Sequence, residues 1–164
     1  MQKVIVIGSP GAGKSTFSRA LKAKTGLPIC YLDMIWHKPD GTNISREEFD
    51  MRLNNIMIKE RWIIDGNYIR TLPQRLGACD TVFLLDYPTD LCLAGVEARI
   101  GKAREDMPWI EKEFDLEFRQ WIIDFERDQL PMIYELLEKF KNRKNIIVFK
   151  TRSEAAAYIE KGEK

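Results

Sequence analysis

The sequence predicts an α/β domain whose parallel sheet is covered by helices on both faces, and three observations carry that prediction. Five short apolar runs recur along the 164 residues, and helical patterns separate them. The first run passes without a break into a glycine-rich stretch. Later runs end on carboxylates, Asp33, Asp65 and Asp86, which is where the strands of an open α/β sheet deliver their ligands. Right-handed crossovers then put every strand's carboxyl end on one rim.

The elements follow in order. Lys3-Val4-Ile5-Val6-Ile7 reads as a buried strand and runs into Gly8-Ser9-Pro10-Gly11-Ala12-Gly13-Lys14-Ser15-Thr16, a match to GxxxxGK[ST], the P-loop. A helix leaves it through Phe17, Ala20, Leu21 and Lys24 and stops at Gly26 and Pro28. Pro28-Ile29-Cys30-Tyr31-Leu32 is a second strand ending on Asp33, and Met34 to Asn43 reads as a loop. Ser45-Arg46-Glu47-Glu48 forms a capping box for a helix through Phe49, Leu53, Ile56 and Met57. Trp62-Ile63-Ile64-Asp65-Gly66 is the third strand, with Asn67, Tyr68 and Arg70 in the loop that leaves it. Thr81 to Asp86 is the fourth, turning through Tyr87-Pro88 into a helix from about Thr89 to Lys102. Gly101 to Glu111 reads as a charged mobile loop. A long helical pattern runs from Phe114 through Phe118, Trp121, Ile122 and Phe125 and resumes in Ile133, Leu136, Leu137 and Phe140, with Pro131 as the kink or break between them. Phe118, Trp121 and Phe125 read as core. Asn145 to Phe149 is the fifth strand, and Ser153 is read as the cap of a last helix.

Composition bounds the function. With 45% hydrophobic residues the chain suffices for one packed domain over residues 1–164. The 26 basic and 25 acidic residues leave a formal charge of +1, and no basic stripe or helix-turn-helix pattern stands out, so direct DNA binding is not expected. Cys30, Cys79 and Cys92 lack C-x-x-C spacing and lie in or beside apolar stretches, reading as buried thiols of a reducing cytoplasm. No apolar run approaches a membrane span.

The residue types on the rim point to phosphoryl chemistry. Gly8, Pro10, Gly11, Ala12 and Gly13 let the backbone curl into a nest of N–H groups for phosphate oxygens, with a helix N-terminus behind it. Lys14 would reach the β- and γ-phosphates of a nucleoside triphosphate, Ser15 would ligate Mg²⁺, and Thr16 opens the helix. Asp65 is the candidate to orient the metal's water shell or a reacting group. Asp33, on the neighbouring strand in sequence, is the candidate to act as base towards an acceptor or to fix its position. Asp86 reads as a turn former. Arg99 and Arg104 are placed to close over the phosphates, the alternative being a solvated surface. Arg70 is a fork for an acceptor phosphate or carboxylate, or a surface residue. His37, Trp36 and Tyr68 either line an acceptor pocket or serve packing.

Through the P-loop and Ile63-Ile64-Asp65-Gly66 the chain resembles the adenylate-kinase-related P-loop kinases. More narrowly, Tyr31-Leu32-Asp33 with Trp36, Trp62 to Tyr68, and Leu84-Leu85-Asp86-Tyr87-Pro88 resemble the bacterial topology modulation proteins. The resemblance implies a five-stranded sheet in order 2-3-1-4-5, ATP with Mg²⁺, an acceptor-side insertion at about 34–60 and an arginine-bearing lid at about 99–113. It also implies that Arg152 lies against the adenine. Three departures from adenylate kinases bear on the acceptor: Lys14 is followed by Ser15-Thr16, as in shikimate, gluconate and nucleoside kinases; Gly95 stands where a first lid arginine is expected; and Asp65 to Arg70 is a slightly longer spacing. These count against adenosine monophosphate. The expected function is ATP-dependent phosphoryl transfer to a nucleoside, nucleotide or small hydroxy compound. The alternative is an ATP-binding regulator linked to DNA; a GTPase reading finds no N/T-K-x-D signature.

Overall fold

The computed structural model describes residues 1–162, so the last two residues of the 1–164 domain lie outside the described residues. Its five strands are β1 (Lys3–Gly8), β2 (Ile29–Tyr31), β3 (Trp62–Asp65), β4 (Thr81–Leu85) and β5 (Asn145–Phe149). All four pairings are parallel and the order is 2-3-1-4-5, as expected. β1 is central, with Val6 beside Asp65 and Gly8 beside Leu85, so the start of the P-loop and Asp65 emerge together.

Strand alternation sorts the core into two layers. Ile5, Ile7, Trp62, Ile64, Val82 and Leu84 face one side, where they meet α3 (Arg46–Met57), α4 (Leu72–Ala78) and α7 (Leu130–Phe140) through Phe49, Leu53, Leu76, Ile133 and Leu137. Val4, Val6, Ile63, Phe83 and Leu85 face the other. They pack on α1 (Lys14–Thr25), α5 (Thr89–Arg99), α6 (Leu116–Asp128) and α8 (Arg152–Lys161) through Phe17, Leu21, Cys92, Val96, Ile122 and Ala155. Two-sided burial explains why these strands read as continuous apolar runs. Among the described residues no helix is long and apolar enough to cross a membrane.

Several elements differ from the sequence expectation. β2 ends at Tyr31, and Leu32–Trp36 is a short helix, α2, whose first turn carries Asp33; the fully buried Leu32 is drawn under Gly66. The segment after it is pinned by a bridge between His37 and Asn43. A 3-10 turn, Ile69–Thr71, and α4 follow β3, in a stretch where the sequence suggested only a loop. α5 stops at Arg99 rather than Lys102. Pro131 starts α7 from its first turn, where a missing N–H costs nothing. Thr151, not Ser153, caps α8: its hydroxyl accepts from the Glu154 amide while the Glu154 carboxylate returns to the Thr151 amide. Trp121, expected in the core, is 40% exposed on α6.

Candidate active site

The P-loop nest is built by glycines and held from the side. Gly13 adopts a left-handed conformation (φ 95°) as the N-cap of α1, and no side chain satisfies the first-turn amides, which remain available to a ligand. Gly11 lies directly on α5: a Cβ there would meet the Cys92 carbonyl oxygen at 1.9 Å, and a Cβ at Gly95 would meet the Gly11 carbonyl oxygen at 2.1 Å. Glycine at 95 therefore reflects main chain packed on main chain, and no arginine fits there. Asn67 grips the other end of the loop, accepting from the Gly8 amide at 2.9 Å and donating to the Gly8 carbonyl at 2.6 Å. The Lys14 ammonium donates to the carbonyls of Gly8 (3.0 Å) and Ser9 (3.1 Å).

Beneath this loop sits an electrostatic pair. Asp65 is 5% exposed and accepts from the Ser18 hydroxyl at 3.0 Å. Burial pushes its carboxyl up to about 6, against the pull of Lys14. Burial pushes the Lys14 ammonium down, opposed first by Asp65 and then by Asp33. Ser15 donates not to Asp65 but to Asp106, at 2.8 Å, a buried carboxylate from the segment after α5. Hydroxyl and carboxylate oxygens are the donor chemistry Mg²⁺ prefers, so Ser15, Asp65 and Asp106 fit that ion by type.

Beside Asp33, Tyr68 takes up a left-handed backbone (φ 38°) and donates its hydroxyl to that carboxylate at 2.6 Å. Its ring stacks on Phe49, and Trp36 packs edge-on against both, so Trp36 serves packing. His37 has Nε2 3.9 Å from Asp33 and its ring 4.7 Å from that of Trp109, which closes this wall from the far segment. The turn that aims Asn67 and Tyr68 hangs on Arg75. This fully buried side chain donates to the carbonyls of Gly66 (2.8 Å), Asn67 and Tyr68 (3.1 Å) and to the Thr71 hydroxyl (3.3 Å). Its burial lowers the guanidinium to about 10.

The segment from Ile100 to Asp115 has neither helix nor strand, yet ion pairs tie it over the P-loop. Arg99 forks onto Glu111 at 2.9 and 3.2 Å; Arg104 lies 3.4 Å from Asp106 and 3.6 Å from Glu111; Arg19 of α1 meets Glu105 at 3.3 Å. Arg152 borders the cleft beside Ala155, Ala156 and Ile159. Arg70 and Asp86 lie elsewhere. Arg70 is exposed and forks onto Asp50 at 2.6 and 3.1 Å. Asp86 is held by Tyr134 and Lys150 as a tether between β4 and β5.

The result is one cleft of about 1830 Å³, shared by the P-loop, Asp33, Asp65, Asn67, Tyr68 and the arginines at 99, 104 and 152. Sequence reasoning missed Asp106 and Arg75. Asp106 meets a residue 91 positions away, and Arg75 stands in a stretch with too few apolar positions to mark a helix.

No protein-family model matches the chain. Two adenylate kinase sequences from Thermotoga neapolitana are 29% identical over 97 residues, 57% of this chain and 43% of theirs, so the match spans less than half the length of these relatives. Among solved structures, shikimate kinase from Acinetobacter baumannii in complex with shikimate superposes with a TM-score of 0.63 at 18% identity, covering 98% of this chain and 90% of that one. Shikimate kinase from Bacteroides thetaiotaomicron gives 0.59 at 16%, covering 96% and 94%. The chain thus has the P-loop fold of the shikimate kinases and, over the matched part of its sequence, a relation to adenylate kinase.

Proposed function

We propose that this chain is an ATP-dependent small-molecule kinase. The observation that carries the reading is the convergence, on one rim of one cleft, of a P-loop lysine with two carboxylates near enough to act on its charge, Asp65 and Asp33. The nest from Gly8 to Gly13, with Lys14, Ser15 and Thr16, would cradle the triphosphate, and Arg152 would lie against the adenine. Bound Mg²⁺ would neutralise charge on the β- and γ-oxygens, held by Ser15 and Asp65. The bond from the acceptor oxygen to the γ-phosphorus forms as the bridge to the β-phosphate breaks; ADP leaves, and the acceptor proton passes to Asp33 or to solvent. Arg99 and Arg104 would spread the transferred charge once the segment at about 99–113 closes as a lid, with about 34–60 as the acceptor-side insertion. A reducing cytoplasm fits the three free thiols.

The test is ATP consumption with Mg²⁺ against a panel of nucleosides, nucleoside monophosphates, sugars and small hydroxy acids, with Lys14→Ala as the blank. Stimulation by an acceptor, absent in the variant, supports the kinase; tight ATP binding without stimulation overturns it. One contact favours a second reading. Asp106 occupies the Ser15 hydroxyl, so nucleotide arrival must compete with the lid, as in a nucleotide-gated regulator of the topology modulation type. An ATP-dependent shift of DNA mobility that survives moderate salt would support that reading, and one lost at modest salt would reflect bare charge attraction.

A further inference from the structure

Resting on the kinase reading, we infer that the acceptor is a hydroxyl compound carrying no phosphate or carboxylate, held through Asp33 with Tyr68 and the His37–Trp109 wall beside it. Asp33 is half-exposed on the cleft, and the Tyr68 hydroxyl occupies Oδ1, which leaves Oδ2 to accept from an acceptor O–H or N–H. An anionic acceptor group entering here would face Asp33 with Asp65 close behind it, and like charges at that range repel.

Five arginines that could offset such a group are engaged, while Lys112 is exposed on the segment that lines the cleft. Both terminal nitrogens of Arg70 are on Asp50, outside the cleft. Arg75 lies under the floor and spends its donors on the turn carbonyls. Arg99 and Arg104, matched here by Glu111 and Asp106, are taken up on closure by the transferred phosphoryl in the kinase reading, and Arg19 is matched by Glu105. Lys14 belongs to the P-loop, and Arg152 on α8 goes to the adenine in the kinase reading. The acceptor wall of Asp33, Tyr68, His37 and Trp109 presents no guanidinium fork for a phosphate or carboxylate. The free Oδ2 of Asp33 can accept from an acceptor O–H, whereas an anionic group offers it no proton and is repelled by it.

Phosphoryl transfer from ATP·Mg²⁺ by the full chain, measured on matched pairs, tests this. The pairs are adenosine against adenosine monophosphate, and a cyclic polyol against the same ring bearing a carboxylate. The uncharged member is expected to be used with kcat/KM about tenfold or more above its anionic partner. Preferred transfer to the monophosphate or the acid would overturn the inference and leave the kinase reading standing; tight ATP binding with no transfer to any member would overturn both. Asp33→Asn supplies a second readout. It should raise KM for the uncharged acceptor about tenfold at unchanged ATP affinity and narrow the preference between pair members. An unchanged preference in that variant would also overturn it.

Discussion

Asp65 shows what burial does to a rim carboxylate. Its carboxyl ionises near 6 in the folded protein, above the ordinary value of 3.8. Below about pH 4 both folded and unfolded chains hold that proton. As pH rises through about 6 the unfolded chain has released it while the folded chain still binds it, so this group's contribution to stability falls across the window, by on the order of 3 kcal/mol. Asp65→Asn keeps an acceptor for the Ser18 hydroxyl and removes the titration. Denaturant melts in metal-free buffer at pH 4, 5, 6 and 7 should show the variant gaining on the parent as pH rises; parallel curves would show that Asp65 ionises normally. Lys14 is the companion case. Lys14→Ala should abolish the rise in melting temperature produced by ATP·Mg²⁺ while leaving the protein folded, since its ammonium bonds only to loop carbonyls. These two residues, with Ser15, were legible in the sequence because the P-loop spells out a local backbone shape and a strand end exposes its acid. Asp106 was not, since its meeting with Ser15 depends on how a segment without regular structure folds back.

At the scale of elements, the turn between β3 and α4 concentrates the risk. Arg75 donates to three main-chain carbonyls of the turn, of which that of Tyr68 also accepts from the Thr71 amide and hydroxyl. Arg75→Leu fills the space yet removes every donor, and should destabilise the fold by about 2–4 kcal/mol, read as a lowered denaturant midpoint. Because Asn67 and Tyr68 hang from the same turn, KM for the acceptor should rise as well. A loss of stability with unchanged KM would separate the peg from the site. The strands were readable because burial on both faces leaves long apolar runs, and α6 and α7 because their apolar positions repeat at helical spacing. α2 and α4 were not: five and seven residues are too few for a periodicity to show. Trp121 misled for a related reason, since helical spacing identifies an apolar stripe without saying how far that stripe is covered.

For the whole molecule, the P-loop, the strand ends at Asp65 and Leu85, and the helices α1, α5, α6 and α8 share one cleft, so a ligand that binds there stabilises the folded chain by mass action. ATP with Mg²⁺ at about a hundred times its dissociation constant should add about 2.7 kcal/mol. A shift in melting temperature that grows with the logarithm of ATP concentration, and shrinks on chelation, is the expected record. The meeting of Gly11 with Gly95 reaches further than packing. α5 is bolted, backbone to backbone, to the P-loop, and its far end is Arg99, where the segment from Ile100 to Asp115 begins. A push at the P-loop would then be carried through stiff covalent chain to the start of that segment, as by a connecting rod, and ATP should slow amide hydrogen exchange along Cys92 to Arg99. Gly95→Ala would jam that rod: the added methyl should destabilise the fold by about 1–3 kcal/mol and uncouple exchange in α5 from nucleotide.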